Sequence, residues 1–358
     1  MNKPRIGVVG TGWWATQHHI PSLKAYDGAE VAALADPDAT ALQRAADTYD
    51  VAKTFLDPRE LYTSGLVDGV VIAIPHVYHY EHVKAALDAG LHVLIEKPMT
   101  LRADHAYDLV TRAEKAGRTL MVGLTYQHTR AAQRLRKAVL GGEIGEVLLT
   151  SGLYVSMVEE YYRGRPERYE PVFQFPVTGP AASTYADPEI SGGGHGQTQV
   201  THSMGMVLYV TGKRVASVSA VMSNLGLAVD VVDAMSFQFT GGGIGTMAAT
   251  GSIRPGQDSQ QELRYYGTEG YALQDLLAGT LSIHRNDGTV ERLDPPLAED
   301  EIYPAERPIR AFADLIADPA AENLSPAGPA ADTVAFLEAA YTSASRDGAP
   351  VTVASPTL

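Results

Sequence analysis

The chain contains no cysteine among its 358 residues. Disulfides, thiolate nucleophiles and Cys-ligated metals are therefore excluded. No apolar run approaches the ~20 residues that a membrane span requires. Positive charge is the minority sign: 28 Lys and Arg stand against 42 Asp and Glu, a net charge of −14. That balance disfavours nucleic acid and anionic membrane as partners. The first residues enter a strand-like run at once, which predicts no secretory or twin-Arg leader and a cytoplasmic protein. Apolar residues make up 45% of the chain, enough for full cores. The length suits two domains at about 150 residues each.

What is present begins with Arg5–Ala15, RIGVVGTGWWA. Ile6, Val8 and Val9 suit a buried parallel strand. Gly10, Gly12 and Ala15 follow in the spacing G-x-G-x-x-A. The first glycine permits a tight turn, the second leaves bare backbone for a pyrophosphate, and the small third residue lets the next helix pack close. That helix points its partially positive N-terminus at the phosphates. A second apolar run, Glu30–Ala35, ends in Asp36, 24 residues after Gly12. A dinucleotide fingerprint places its ribose-binding acid about 20 residues on. A carboxylate there binds ribose hydroxyls and repels a 2′-phosphate. Pro37-Asp38 offers no cation to attract one, so the reading is NAD over NADP.

Residues 1–124 alternate between strands and helices. Strand patterns at Val67–Ile74, Leu91–Ile95 and Thr119–Leu124 are separated by helical patterns at Ala39–Tyr49, Tyr80–Ala89 and Leu101–Ala116. This predicts an α/β Rossmann domain, a doubly wound parallel sheet with ligands beyond the C-terminal strand ends. Gly10, Asp36, Pro75-His76, Lys97 and Tyr126 all fall at such ends. From about residue 125 to 358 the grammar changes to strands joined by glycine-rich turns, which is antiparallel-sheet language. One helix interrupts it at about His195–Val210, and Pro308–Ile316 and Ala331–Ser345 are closing helices. The stretch 157–191 is long, irregular and rich in Pro and Tyr, and reads as a lid or pocket wall.

GVVGTGWWA, IPHVYH, AALDAGLHVLIEKPM, GEIGEV and GGGHGQTQVTH occur in that order. Together they resemble the Gfo/Idh/MocA oxidoreductases over nearly the whole chain, most specifically through the Ala89–Pro98 run. The resemblance implies a Rossmann domain followed by an α/β domain with an open, mostly antiparallel sheet. It implies NAD(P)-dependent oxidation or reduction of sugars, cyclitols and their relatives. It also implies assembly through that sheet into homodimers or homotetramers.

Oxidising an alcohol requires the hydroxyl to lose a proton while its carbon loses hydride. A cation beside the oxygen stabilises the developing alkoxide. Lys97, at a strand end, is the candidate cation; the bland alternative is a surface lysine paired with Glu96. In similar proteins the bond from Lys97 to Pro98 is cis. His202 is the candidate acid/base, because an ordinary imidazole titrates near neutrality. The run Gly192–Gly194 leads into its helix and would let backbone approach cofactor or substrate. Thr198 lies four residues before His202, on the same helix face, with Gln199 adjoining. Many family dehydrogenases carry Asp where this chain has Thr198. A hydroxyl holds no charge, so Thr198 and Gln199 are read as substrate-binding.

Pro75-His76-x-x-His79 is similar to the family's Pro-Asn-x-x-His. Ile74, Pro75, His76 and His79 therefore join Glu96 as cofactor-binding candidates, His79 alternatively packing the following helix. Trp13 and Trp14 are candidates to shield the cofactor, with core packing the alternative. Tyr126 is placed against cofactor and substrate, and His128 against substrate. Tyr154 and Arg163 would line the pocket, against the alternative of solvated loop surface. His76, His79 and His82 recur at three-residue intervals, but hydride transfer needs no metal and none is expected. The first reading is an NAD-dependent sugar or cyclitol dehydrogenase. The alternative is a glycoside hydrolase that uses NAD for transient oxidation, elimination, water addition and reduction. A non-enzymatic NAD sensor is the third.

Overall fold

The structure, a computed structural model, describes residues 3–173 and 175–356. Contacts divide the chain into two compact units. The first comprises 1–124, 164–184 and 305–328; the second comprises 125–163, 185–304 and 329–358.

In the first unit, six strands form one parallel sheet: β1 (Arg5–Val9), β2 (Glu30–Ala35), β3 (Thr54–Phe55), β4 (Gly69–Ile72), β5 (His92–Ile95) and β6 (Leu120–Val122). Their order, β3-β2-β1-β4-β5-β6, is the doubly wound arrangement, with the strand order reversing beside β1. The apolar runs form strands because helices cover both faces, so every residue of β4 and β6 is buried. The short β3 escapes pattern reading, since two residues carry no periodicity.

The later segments complete this unit. Helix Arg307–Ala317 places Ile309 and Phe312, both fully buried, in one cluster with Ile6, Val71 and Leu94. The chain then ties itself to β6: the Val122 amide donates to the Ser325 carbonyl at 3.1 Å, and the Ser325 hydroxyl donates to the Val122 carbonyl at 2.5 Å.

The second unit holds nine strands: β7 (Val147–Val155), β8 (Val215–Ser223), β9 (Val232–Phe239), β10 (Ile244–Thr250), β11 (Gln260–Gly267), β12 (Gly270–Asp275), β13 (Thr280–Arg285), β14 (Val290–Arg292) and β15 (Val351–Thr352). Their order is β14-β13-β12-β11-β7-β10-β9-β8-β15. The β7–β10 pair is parallel and the other pairs are antiparallel. Strict alternation of exposed and buried residues along β9 shows a sheet covered on one face. Helix Thr201–Thr211, buried along its whole length, belongs to this unit. Among the described residues, no helix is long and apolar enough to cross a membrane.

Phe312→Ala removes a large, fully buried ring from the first unit and leaves a cavity. Equilibrium denaturation should show a loss of about 3–5 kcal/mol; a loss below about 1 kcal/mol would mean the helix does not contribute to that core.

Candidate active site

The first unit presents a glycine turn at the end of β1. Gly10 adopts φ +88°, and a Cβ there would lie 2.2 Å from the Ala73 carbonyl oxygen. Its amide donates to Ala35 at 2.8 Å. A Cβ on Gly12 would meet nothing within 4 Å, so backbone there faces open space. Asp36, at the end of β2, accepts from the Thr11 amide (2.7 Å) and hydroxyl (2.9 Å) through one oxygen. The other oxygen accepts from the Asp38 amide at 2.8 Å. A carboxylate has about four lone-pair sites, so acceptor capacity remains. Open backbone at Gly12, a helix start and an acid at the next strand end fit a dinucleotide.

The helix after this turn opens irregularly: Ala15–His19 is a π-helical turn, a form concentrated at functional sites. It turns the Trp14 indole and the His19 ring onto the buried Glu96 carboxylate, at 2.9 and 2.8 Å from Oε1. Trp14 packs on His18 with ring centroids 4.1 Å apart, and Trp13 meets Phe175 at 5.8 Å. His18 is held neutral, its pKa lowered to about 4 by burial. His18 and His19 thus sit in an irregular turn beside Glu96.

Lys97 follows Glu96 at the end of β5 and is half-buried. Desolvation lowers its ammonium pKa to about 8, while the Glu96 charge opposes that drop. The Lys97–Pro98 bond is cis. His79 is fully buried, with Nδ1 2.9 Å from the Pro98 carbonyl and Nε2 2.9 Å from that of Ile74. It pins two strand ends together through their backbone. His76 is buried against His79, their centroids 5.5 Å apart, while Ile74 and Pro75 are half-buried.

The second unit gathers Tyr126, Tyr154, Tyr303 and His202. The Tyr154 ring lies parallel to His202 at 6.4 Å, and the Tyr126 and Tyr303 rings present edges at 5.9 and 6.2 Å. The Tyr126 hydroxyl donates to Gln261, and the Tyr154 hydroxyl donates to Gln199 at 3.2 Å. His128 is buried nearby in sequence, on the same short helical turn as Tyr126. Arg163 stands apart: it is exposed and ion-paired to Glu159, one helical turn before it.

Thr198 is buried, and its hydroxyl donates to the Gly194 carbonyl at 2.9 Å. The Tyr162 hydroxyl lies 2.5 Å from the Thr198 hydroxyl oxygen. Thr198 sits in a second π-helical turn, Gly196–Val200, which runs directly into the helix bearing His202. Asp230 braces that turn. Its carboxylate accepts from the Gly194 and Gly196 amides and from the Tyr341 hydroxyl, each at 2.7 Å. The glycine run makes room for these partners: a Cβ on Gly194 would lie 1.9 Å from the Asp230 carbonyl oxygen, and one on Gly193 would lie 2.2 Å from the Tyr341 hydroxyl.

Asp230, Tyr341, Tyr162, Gln261 and Tyr303 were not legible as site residues. They come from distant strands, loops and helices, and no local spacing marks them. Beside Asp230, Asp233 is buried with no hydrogen-bond donor on either oxygen. Burial and the Asp230 charge push its pKa up to about 9. His195 lies 3.6 Å from it and 3.0 Å from the Ser156 hydroxyl, and burial lowers its pKa to about 3. At neutral pH the imidazole is therefore neutral and the Asp233 carboxyl protonated.

Residues 4–124 match the model of an oxidoreductase family with an NAD-binding Rossmann fold, and residues 132–273 match the C-terminal domain of the same family. The chain belongs to the Gfo/Idh/MocA oxidoreductase family. It is 26% identical over 280 residues to a D-glucoside 3-dehydrogenase of Escherichia coli, covering 78% of this chain and 67% of that one. It is 32% identical over 151 residues to an inositol 2-dehydrogenase of Corynebacterium glutamicum, covering 42% of this chain and 45% of that one. A levoglucosan dehydrogenase solved with NADH and levoglucosan superposes with a TM-score of 0.79 at 20% identity, over 99% of this chain and 100% of that one; at that identity the likeness is one of fold. The chain is thus an enzyme of a sugar and cyclitol oxidoreductase family with an NAD-binding Rossmann unit.

The protonated Asp233 gives a signed test. The folded state keeps a proton that the unfolded chain releases above about pH 4. This group therefore makes stability fall as pH rises from about 4 to about 9. Asp233→Asn should flatten that fall relative to the parent in denaturation curves across this range. Parallel curves for the two proteins would show Asp233 to be ionised.

Proposed function

We propose that this enzyme oxidises a ring hydroxyl of a sugar, cyclitol or sugar derivative to a ketone, with NAD as the cofactor. The observation that carries the reading is Lys97: a desolvated ammonium at the end of β5, in the unit whose glycine turn and Asp36 fit a dinucleotide. NAD supplies the hydride acceptor when bound. The protein's part is to orient the alcohol and manage its proton. Lys97 stabilises negative charge growing on the substrate oxygen. His202 accepts the hydroxyl proton and later releases it. Tyr154 and Gln199 are already joined by a hydrogen bond, and with Tyr126 they frame the imidazole and present polar edges to sugar hydroxyls.

Thr198 takes no proton in this scheme. Its hydroxyl is engaged by the Gly194 carbonyl and by Tyr162, so its role is to hold the start of the His202 helix and to bind substrate. His128 is a further substrate contact, and Arg163 reaches substrate only by leaving Glu159. Gly10, Gly12, Trp13, Trp14, Asp36, Ile74, Pro75, His76, His79 and Glu96 form the cofactor side, with Lys97 and Tyr126 shared between cofactor and substrate. The Asp36 carboxylate selects NAD, because a 2′-phosphate would meet like charge.

An open sheet face supports a homo-oligomer. Val221, Ala234, Ala248 and Leu153 stand in register across β8, β9, β10 and β7, and Val221 is 66% exposed. Ile244 and Leu148 add exposed apolar surface at the ends of β10 and β7. A dimer or tetramer through this face would cover that row. Sedimentation should show an oligomer that Ala234→Arg dissociates; a parent protein that sediments as a monomer would contradict this assembly.

Catalysis is tested with a panel of sugars, inositols and glycosides, following NADH and NADPH formation side by side. The expected result is NADH formation, reduced about 10²–10³-fold in Lys97→Ala and about 10²–10⁴-fold in His202→Ala. Unchanged turnover in either variant would remove that residue from the mechanism. Glycoside cleavage without net NADH would replace dehydrogenation with the hydrolytic cycle.

A further inference from the structure

The His202 imidazole sits among three tyrosine rings, and one of them differs from the rest. Tyr126, Tyr154 and His202 are each no more than 5% exposed, whereas Tyr303 is half-buried. What this cluster shows to solvent is therefore chiefly Tyr303. The angles also matter. Tyr303 meets His202 at 74° and Tyr126 at 75°, and Tyr126 meets His202 at 79°. Three planes at such angles form a corner. The Tyr303 centroid lies 6.2 Å from that of the imidazole and 5.1 Å from that of Tyr126.

Tyr303 follows the short helical turn Glu299–Ile302, on the loop after β14. That loop is fastened from two directions. On the sheet side, the Leu293 amide donates to the Leu281 carbonyl and the Leu297 amide to the Gly279 carbonyl, both at 2.9 Å. On the other side stands Arg130, four residues after Tyr126. One guanidinium nitrogen donates to the Pro295 carbonyl at 2.7 Å and the Pro296 carbonyl at 2.8 Å, and lies 3.5 Å from the Glu301 carboxylate. Glu301 in turn accepts from the Ala298 amide at 3.0 Å. Hydrogen bonds from a charged donor are roughly twice as strong as neutral ones. One side chain thus joins the turn that supplies Tyr126 to the loop that supplies Tyr303.

We propose that Tyr303 is a specificity-determining residue, the wall on which a six-membered cyclic polyol lies, and that Arg130 is the positioning residue that holds it there. This rests on the reading of His202 as the acid/base. An aromatic ring is apolar and its face is electron-rich. A pyranose or cyclitol offers such a surface a face of C–H bonds and carries its hydroxyls around the rim. A substrate ring laid flat on Tyr303 crosses the imidazole plane at the same 74°. In that attitude a rim hydroxyl can meet a ring nitrogen in the imidazole plane, where the nitrogen lone pair lies. An open-chain polyol has no such face to lay down.

The test is steady-state kinetics on the full-length protein, with the panel member that the parent oxidises fastest. Tyr303→Ala should raise KM about tenfold and leave kcat within about threefold. Tyr303→Phe keeps the ring and should stay within about twofold of the parent in both. Arg130→Gln should raise KM about threefold, and Arg130→Lys, which keeps a cationic donor, should recover most of that. A KM unmoved in Tyr303→Ala would overturn the proposal, as would a loss confined to kcat. A KM unmoved in Arg130→Gln would remove Arg130 from it. NAD affinity is read from the fluorescence of Trp13 and Trp14, the two tryptophans of the chain. A loss of NAD affinity of about tenfold in Tyr303→Ala would make the ring a nucleotide contact and overturn the wall. Saturation-transfer NMR of methyl β-glucoside and of myo-inositol, with NAD present, needs no turnover. Their C–H signals should weaken in Tyr303→Ala, and an equal signal from open-chain sorbitol would overturn the wall. A parent that binds these rings through Tyr303 but oxidises nothing in the panel contradicts the dehydrogenase reading and keeps the wall. A parent that neither binds nor oxidises overturns both.

Discussion

A charge withdrawn from water must be met by donors, and this chain uses that requirement twice. In the first unit the Glu96 carboxylate gathers Trp14, His19 and the Lys97 amide. In the second, the Asp230 carboxylate gathers the Gly194 and Gly196 amides and the Tyr341 hydroxyl. Each carboxylate grips the start of a helix that follows a glycine-rich turn, and each of those helices begins with a π-helical turn. An unpaired buried carboxylate costs several kcal/mol. The donors therefore cannot wander without exposing that cost, and the side chains that follow them are held in place.

The two residues of the proposed mechanism lie close in sequence to these clamps. Lys97 sits next to one clamp, and His202 lies two helical turns beyond the other. The local environments push titratable groups apart in the way acid/base chemistry uses. Burial brings Lys97 down to about 8, so it is still mostly an ammonium ion at neutral pH. Asp233 is brought up to about 9 and His195 down to about 3.

Much of the architecture was readable because it is local. The G-x-G-x-x-A turn, the acid at the end of β2 and the alternation of strand and helix each depend on residues close in sequence, and the parallel sheet follows from them. Ala39–Tyr49 emerges with the boundaries its pattern suggests. β3 and β14 are too short to show a period, and β12 hides among turn residues. The π-helical turns were read as plain helix, since one extra residue in a turn leaves no mark on composition. Lys97 and His202 stood out through motif; their supports did not. Glu96 is a cofactor-binding candidate by its motif, and its donors Trp14 and His19 lie some 80 residues away in the chain. Asp230 and Tyr341 had no signal at all, as a long-range clamp is written only in the fold. Arg163, chosen for its charge, is engaged with Glu159 one turn away, a pairing its i, i+4 spacing already allowed.

The most direct measurement is a structure of the protein with NAD and an oxidisable sugar bound. The account predicts Lys97 Nζ and the His202 imidazole both at about 3 Å from one substrate hydroxyl, with that hydroxyl's carbon facing the nicotinamide ring. A complex in which either side chain lies out of hydrogen-bond reach of the oxygen being oxidised would contradict it.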